Sequence, residues 1–296
     1  MTEHRPLLGI GLMLLAVLCF AALDATSKAL TQTFSVPLLV WARYTFHFLL
    51  MLFFLAPSMR SRLIVTSRPR LQIARALTLV GTTGFAMAAF RTMPLAEATA
   101  VLFVTPLAVA LLAGPFLGER VGMARWAAVA AGFAGMLLVA RPGGAMSGPG
   151  IAWALAAAAC YAIYQIQTRQ LSPSENTWTM LFYTALVGTA TMSLALPFIW
   201  SGPMPTATEA AMIASLGIYG GTGHFMLIRA FRYAAASTLS PFLYAQLVWA
   251  ALFGWLFYDH IPDATSVAGM AIIAGSSMAM AVGERRSQSA ARNAAQ

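Results

Sequence analysis

Residues 89–119 read AFRTMPLAEATAVLFVTPLAVALLAGPFLGE, and residues 230–259 read AFRYAAASTLSPFLYAQLVWAALFGWLFYD. Ala89-Phe90-Arg91 returns as Ala230-Phe231-Arg232. Pro106 precedes Glu119 by 13 positions, and Gln246 precedes Asp259 by the same 13. Each copy is expected to end one apolar helix, turn, and launch a second that closes on an acid. A repeat of this length divides the chain into two similar halves. The correspondence extends outward: at an offset of 141, Gly9 falls on Gly150, Cys19 on Cys160, Phe20 on Tyr161 and Lys28 on Arg169.

Composition sets the solvent. Of 296 residues, 59% are hydrophobic and 9% charged, against about 25% charged in soluble domains. Recurrent apolar runs of about 20 residues read as transmembrane helices, and the ~10-residue alternation of a membrane barrel is missing. The net charge is +9, from 17 Arg and one Lys against nine acids. The arginines sit between hydrophobic runs, which is a topology signal and not a nucleic-acid surface. Cys19 and Cys160 lie inside apolar runs and read as buried free thiols. The first run, Leu7 to Leu23, is long for a signal-peptide core and reads as the first membrane helix.

Ten helices are expected. The first half gives Leu7–Leu30, Leu38–Ala56, Leu71–Phe90, Leu95–Leu117 and Val121–Ala140. The second gives Gly150–Gln170, Thr177–Trp200, Thr208–Phe231, Ala235–Tyr258 and Ala264–Val282. Residues 1–141 form the first repeat, 142–149 a Gly/Pro/Ser-rich linker, 150–283 the second repeat and 284–296 a polar tail expected to be disordered. Arg60, Arg62, Arg68 and Arg70 share one side with Arg120, Arg125, Arg169, Arg232 and the tail arginines, which places both termini in the cytoplasm. Five helices per half is odd, so the second half enters the membrane upside down. The fold class is therefore an all-α membrane protein of two inverted five-helix repeats around a central cavity, an architecture that suits alternating access.

Two matched faces carry the polar groups. Helix 1 offers Cys19, Phe20, Leu23, Asp24 and Ser27; helix 6 offers Cys160, Tyr161, Tyr164, Gln165 and Thr168. Polar groups are costly in lipid, so these faces are expected to look inward; the competing reading is helix–helix hydrogen bonding. A rise of ~1.5 Å per residue puts Asp24 roughly 26 Å from Leu7, near the outer surface. It reads as a structural partner of Lys28 at i, i+4, and not as a proton carrier. Arg43 and His47 make a similar pair on helix 2. Gly217, Gly220 and Gly221 thin helix 8 beside His224. The expected substrate cavity comprises Cys19, Leu23, Phe103, Tyr161, Tyr164, Gln165, His224, Phe242, Tyr244 and Gln246. Glu119 and Asp259 close matched helices at opposite surfaces, and Glu119 reads as a loop cap or a salt-bridge partner of Arg120 or Arg125. No zinc-ligand spacing, P-loop or nucleophile elbow occurs, so no metal, cofactor or catalytic set is expected.

The duplicated Ala-Phe-Arg, Pro106 and Leu117-Gly118-Glu119 resemble the drug/metabolite transporter superfamily, EamA type, over nearly the whole chain. Within it the chain looks most like the YddG-type amino-acid exporters. It departs from the common pattern at Gln246 (often Pro), Asp259 (often Glu) and Phe20-Ala21 (often Trp-Gly). The resemblance implies an inner-membrane exporter of amino acids, aromatic ones included, or of related small metabolites. It implies a cavity lined by helices 1, 3, 4, 6, 8 and 9, with helices 5 and 10 packed away from it, in a lipid-embedded monomer or weak homo-oligomer. The competing readings are a drug or nucleotide-sugar carrier of the same superfamily, and a membrane enzyme such as an acyltransferase using His47 or His224.

Overall fold

The computed structural model describes residues 6–59, 63–105, 107–109, 111–112, 123–141, 148–171, 174–199, 203–233, 239 and 242–294. Ten helices follow one another: α1 Pro6–Leu30, α2 Val36–Met59, α3 Pro69–Thr92, α4 Leu95–Leu102, α5 Met123–Ala140, α6 Gly148–Leu171, α7 Thr177–Ile199, α8 Ala207–Tyr233, α9 Ala245–Tyr258 and α10 Ala264–Ala294. In lipid, a helix satisfies its own backbone polar groups, and among the described residues all regular structure is helical. α1, α2, α3, α6 and α7 are long and apolar enough to cross a bilayer, and shorter apolar helical stretches lie in the other half of the set. Phe53, Phe54, Leu194, Phe198, Trp255 and Phe257 point outward. The molecule is a multi-pass membrane protein.

Helices 4 and 9 are interrupted where continuous helices were expected. α4 stops at Leu102; the Phe103 N–H is shared between the Thr99 and Ala100 carbonyls, and the Val104 N–H donates to Val101. Helix resumes over 105 and 107–109. Proline at 106 has no N–H to give the Leu102 carbonyl, which accepts the Thr105 hydroxyl at 2.6 Å. Tyr244 marks the corresponding interruption, with helical residues at 242–243 before it and α9 after it. Positions 103 and 244 are mates at the offset of 141, and their rings meet with centroids 5.3 Å apart. Two mates that touch each other straddle the axis relating the halves. Pro106, Glu119 and linker residues 142–147 lie outside the described residues.

The packing follows the same exchange. α1 packs along α8 as α6 packs along α3, while α2 meets α7 and α5 meets α10. The α5–α10 crossing is backbone on backbone. A Cβ at Gly135 would stand 2.8 Å from the Gly269 carbonyl oxygen, and one at Gly269 would stand 2.6 Å from that of Gly135. Small residues give transmembrane helices this approach. Arg141, left-handed at φ 41°, follows the end of α5 and pairs with Asp263 just before α10. The two helices are thus antiparallel. α10 runs on to Ala294, through the stretch expected as a disordered tail; Ala, Glu, Gln and Arg there are strong helix formers. Asp259 caps α9 in the left-handed conformation, with its N–H on the Trp255 carbonyl at 3.1 Å.

Candidate functional site

The glycines of α8 bring α2 into the middle of the bundle. A Cβ at Gly217 would lie 2.4 Å from Phe46 Cβ and 2.8 Å from the His47 nitrogen. At Gly221 it would lie 3.4 Å from His47 Cδ2, and at Gly220 3.6 Å from Arg43 Nε. Without side chains at these positions, α8 accepts Arg43 and His47 against its backbone. Arg43 Nη1 donates to Thr83 Oγ1 at 3.0 Å. The Thr83 hydroxyl donates to the Leu79 carbonyl at 3.0 Å, so at the 2.9 Å contact with Tyr44 the phenol is the donor.

Asp24 enters from α1. Its Oδ2 accepts the Gln246 amide at 2.9 Å, and the Arg43 guanidinium acts on it electrostatically. Arg43 also acts on Tyr44, His47, Tyr161 and His224, which makes it the electrostatic hub of the bundle. His224 feels His47 and Arg75 as well. Arg75, 1% exposed, donates to Thr168 Oγ1 at 3.4 Å, Thr184 Oγ1 at 2.9 Å and the Met180 carbonyl. It lies 4.9 Å over the Tyr164 ring, which stacks on Tyr161 at 5.7 Å. One carboxylate, two guanidiniums, two imidazoles, phenols and an amide therefore converge inside an apolar bundle. Ionisable groups are expensive in such a place and mark substrate or ion pathways. The set can hold a cationic group at Asp24, an anionic group at Arg43, and a flat or apolar group against the tyrosines.

The residues singled out from sequence fall into distinct places. Tyr161, Tyr164, His224 and Gln246 join this centre, and Phe20 meets His224 edge-on at 5.0 Å. Gln165, half-buried beside Tyr164, is the repeat mate of Asp24. Cys19 lies on the α1–α8 seam, its sulfur 3.9 Å from the Thr222 hydroxyl oxygen, whose proton goes to the Ile218 carbonyl at 2.6 Å. Phe103 and Tyr244 sit at the two helix breaks. Leu23 is 4% exposed and packs in the apolar cluster with Leu30, Val80 and Leu216. Phe242 packs in a separate cluster with Met13, Val17 and Leu239.

One reading needs correction. Asp24 and Lys28 do not partner each other: Lys28 Nζ donates to the Phe90 and Met93 carbonyls at 2.8 and 2.6 Å, and Asp24 turns to Gln246 and Arg43. α2 supplies Arg43 and His47 to this centre in addition to the helices implied by resemblance. Its signal was present as a cation and a histidine one turn apart in an otherwise apolar run, facing a glycine-rich helix.

A cleft of about 460 Å³ lies elsewhere, between α1, α8 and α9, lined by Ala22, Ala25, Ala29, Tyr219, Phe253 and Phe257 among others. Ala22 and Asp24, two positions apart, point to nearly opposite sides of α1. Most of its walls are apolar, and Thr26, Tyr219 and Tyr258 also line it.

The sequence profile of the EamA-like transporter family matches residues 7–141 and again 148–282. The S-adenosylmethionine uptake transporter of Rickettsia bellii (strain RML369-C) is 29% identical, over 95% of this chain and 96% of its own. The riboflavin transporter of Vibrio cholerae is 28% identical over 92% of each chain. The pseudopaline exporter CntI of Pseudomonas aeruginosa (strain UCBPP-PA14) is 30% identical over 61% of this chain and 64% of its own. A protein solved by crystallography, 21% identical, shares the fold with a TM-score of 0.66, covering 94% of this chain and 98% of that one. With the family's pattern matched once in each half of a ten-helix membrane bundle, the chain belongs to the EamA-like transporter family of the drug/metabolite transporter superfamily.

Proposed function

We propose that this transporter exports amino acids, aromatic ones included, or small metabolites that carry an amino-acid group, across the bacterial inner membrane by alternating access. The observation that carries this reading is the Asp24–Arg43 centre beside the stacked Tyr161–Tyr164 rings. A zwitterion puts its ammonium at Asp24 and its carboxylate at Arg43 through charge-assisted hydrogen bonds. It adds no net charge to the bundle, and its side chain lies against the tyrosines. S-adenosylmethionine, named for relatives that match nearly the full chain, is itself an amino-acid derivative. The arginine distribution supports cytoplasmic termini. The inverted repeat supports alternation, and the resemblance to exporters supports the outward direction.

Uptake by inside-out vesicles containing the protein, against a panel of amino acids, tests the reading. Saturable, protein-dependent uptake of aromatic and other neutral amino acids is expected. Uptake of nucleotide sugars or uncharged drugs, with every amino acid excluded, would assign the chain to the competing carrier class. Transport by the family's named members favours a carrier over the membrane-enzyme reading, although the centre does gather an acid and two histidines that the sequence had not placed together.

A further inference from the structure

The halves share a sequence pattern but not all of their packing. α3 leans on α1 and on α2. Its mate α8 makes no comparable packing with α6 or α7 among the described residues, although the α1–α8 and α6–α3 seams match. In an inverted repeat, a contact made by one half and not by its mate is made at one face of the membrane and not at the other. The first half is drawn together where α1 and α3 end.

A half-buried cation does the drawing. Phe90 would find its helical donor four residues on, at Pro94, which has no N–H. Its carbonyl is therefore left open at the negative end of α3. Lys28 Nζ fills it at 2.8 Å and takes the Met93 carbonyl at 2.6 Å. Gln32 Nε2 adds a weaker bond to the Arg91 carbonyl at 3.3 Å. The Tyr258 ring of α9 lies 5.4 Å from the ammonium, and its hydroxyl donates to the Ala25 carbonyl at 2.6 Å. Lys28 is attracted to Glu97 in the first turn of α4, a carboxylate only 3% exposed. Glu97 Oε1 contacts His260 Nε2 at 3.0 Å, and its other oxygen has no hydrogen-bond partner. One side chain thus ties α1 to α3, α4 and α9.

At the offset of 141, Lys28 falls on Arg169 and Phe90 on Phe231, but Pro94 falls on Ala235, which has an N–H. We infer that Lys28 is a latch that holds α1 against α3 at this end of the bundle and is released in the alternate state. The inference deepens the alternating-access reading above and rests on it.

The test uses the full-length chain in liposomes without substrate. Gln32→Cys and Arg91→Cys are introduced together, and disulfide formation between them is followed by mass spectrometry of the linked peptides. The bond is expected to form readily with Lys28 in place and with Lys28→Arg. Its yield should fall several-fold with Lys28→Ala and with the uncharged, similarly long Lys28→Met. A yield that stays unchanged in Lys28→Met, or that falls equally in Lys28→Arg, would overturn the latch. Because the measurement needs no substrate, failure to transport any amino acid would remove the proposed substrate class and leave the latch standing or falling on its own result.

Discussion

Asp24 and Arg43 are each hydrogen-bonded to a neutral partner, Gln246 and Thr83 respectively. Hydrogen bonds to charged groups contribute about 1.5–3 kcal/mol, so Arg43→Gln should lower transport about 10–100-fold, with Thr83→Ala giving a smaller loss through misorientation. Asp24→Asn should lose comparably. The double variant Asp24→Asn/Arg43→Gln should fall short of the product of the single losses, because the groups act on one substrate; initial rates in vesicles check this. Sequence spacing made Asp24 legible as a polar residue in an apolar run, but misjudged its setting. Counting rise per residue gives height along an isolated rod; tilt and rotation come from neighbouring helices. The i, i+4 rule likewise favoured Lys28 as its partner, and lost to open carbonyls on α3, a helix distant in sequence.

At the scale of elements, the repeat spacing located all ten helices, because lipid enforces apolar runs of fixed length. The breaks at Phe103 and Tyr244 were less visible. Hydropathy stays high straight through them, and only Pro106 hinted at the first. Glycine contacts carry the helix crossings. Gly135→Ala would drive a Cβ toward the Gly269 carbonyl at 2.8 Å, and Gly217→Ala would drive one into the α2 backbone. Overpacking of this kind costs about 1–3 kcal/mol, and both variants should melt earlier in detergent, whereas Gly11→Ala, with nothing within 4 Å, should not. The Arg141–Asp263 staple predicts a pH dependence. The hydrogen bond from Arg141 holds the Asp263 carboxyl at about 2, below its ordinary value of 3.8. A depressed carboxyl contributes stability above its unfolded value, and that contribution disappears as pH falls through the folded one. The difference in melting temperature between the parent and Asp263→Asn should therefore be constant above about pH 5 and shrink between pH 4 and pH 2.

For the whole molecule, an odd number of helices per half requires opposite insertion. Reporter fusions after Gln296 and within residues 142–149 should report opposite faces of the membrane; the same face for both would remove the inverted repeat. The duplication was readable because Ala-Phe-Arg and the matched cysteines survive in both halves. The unequal packing of the halves was not, since it belongs to one conformation and not to the sequence they share. The recognition of a zwitterion by opposite charges in the bundle centre is tested most directly by counterflow in liposomes. An aromatic amino acid is compared with the matching amine, which lacks the carboxylate, and with the matching acid, which lacks the ammonium. The parent protein should exchange the amino acid and exclude both analogues, and Arg43→Gln should slow the amino acid while narrowing its advantage over the amine. Equal exchange of all three compounds, or selectivity untouched by Arg43→Gln, would contradict it.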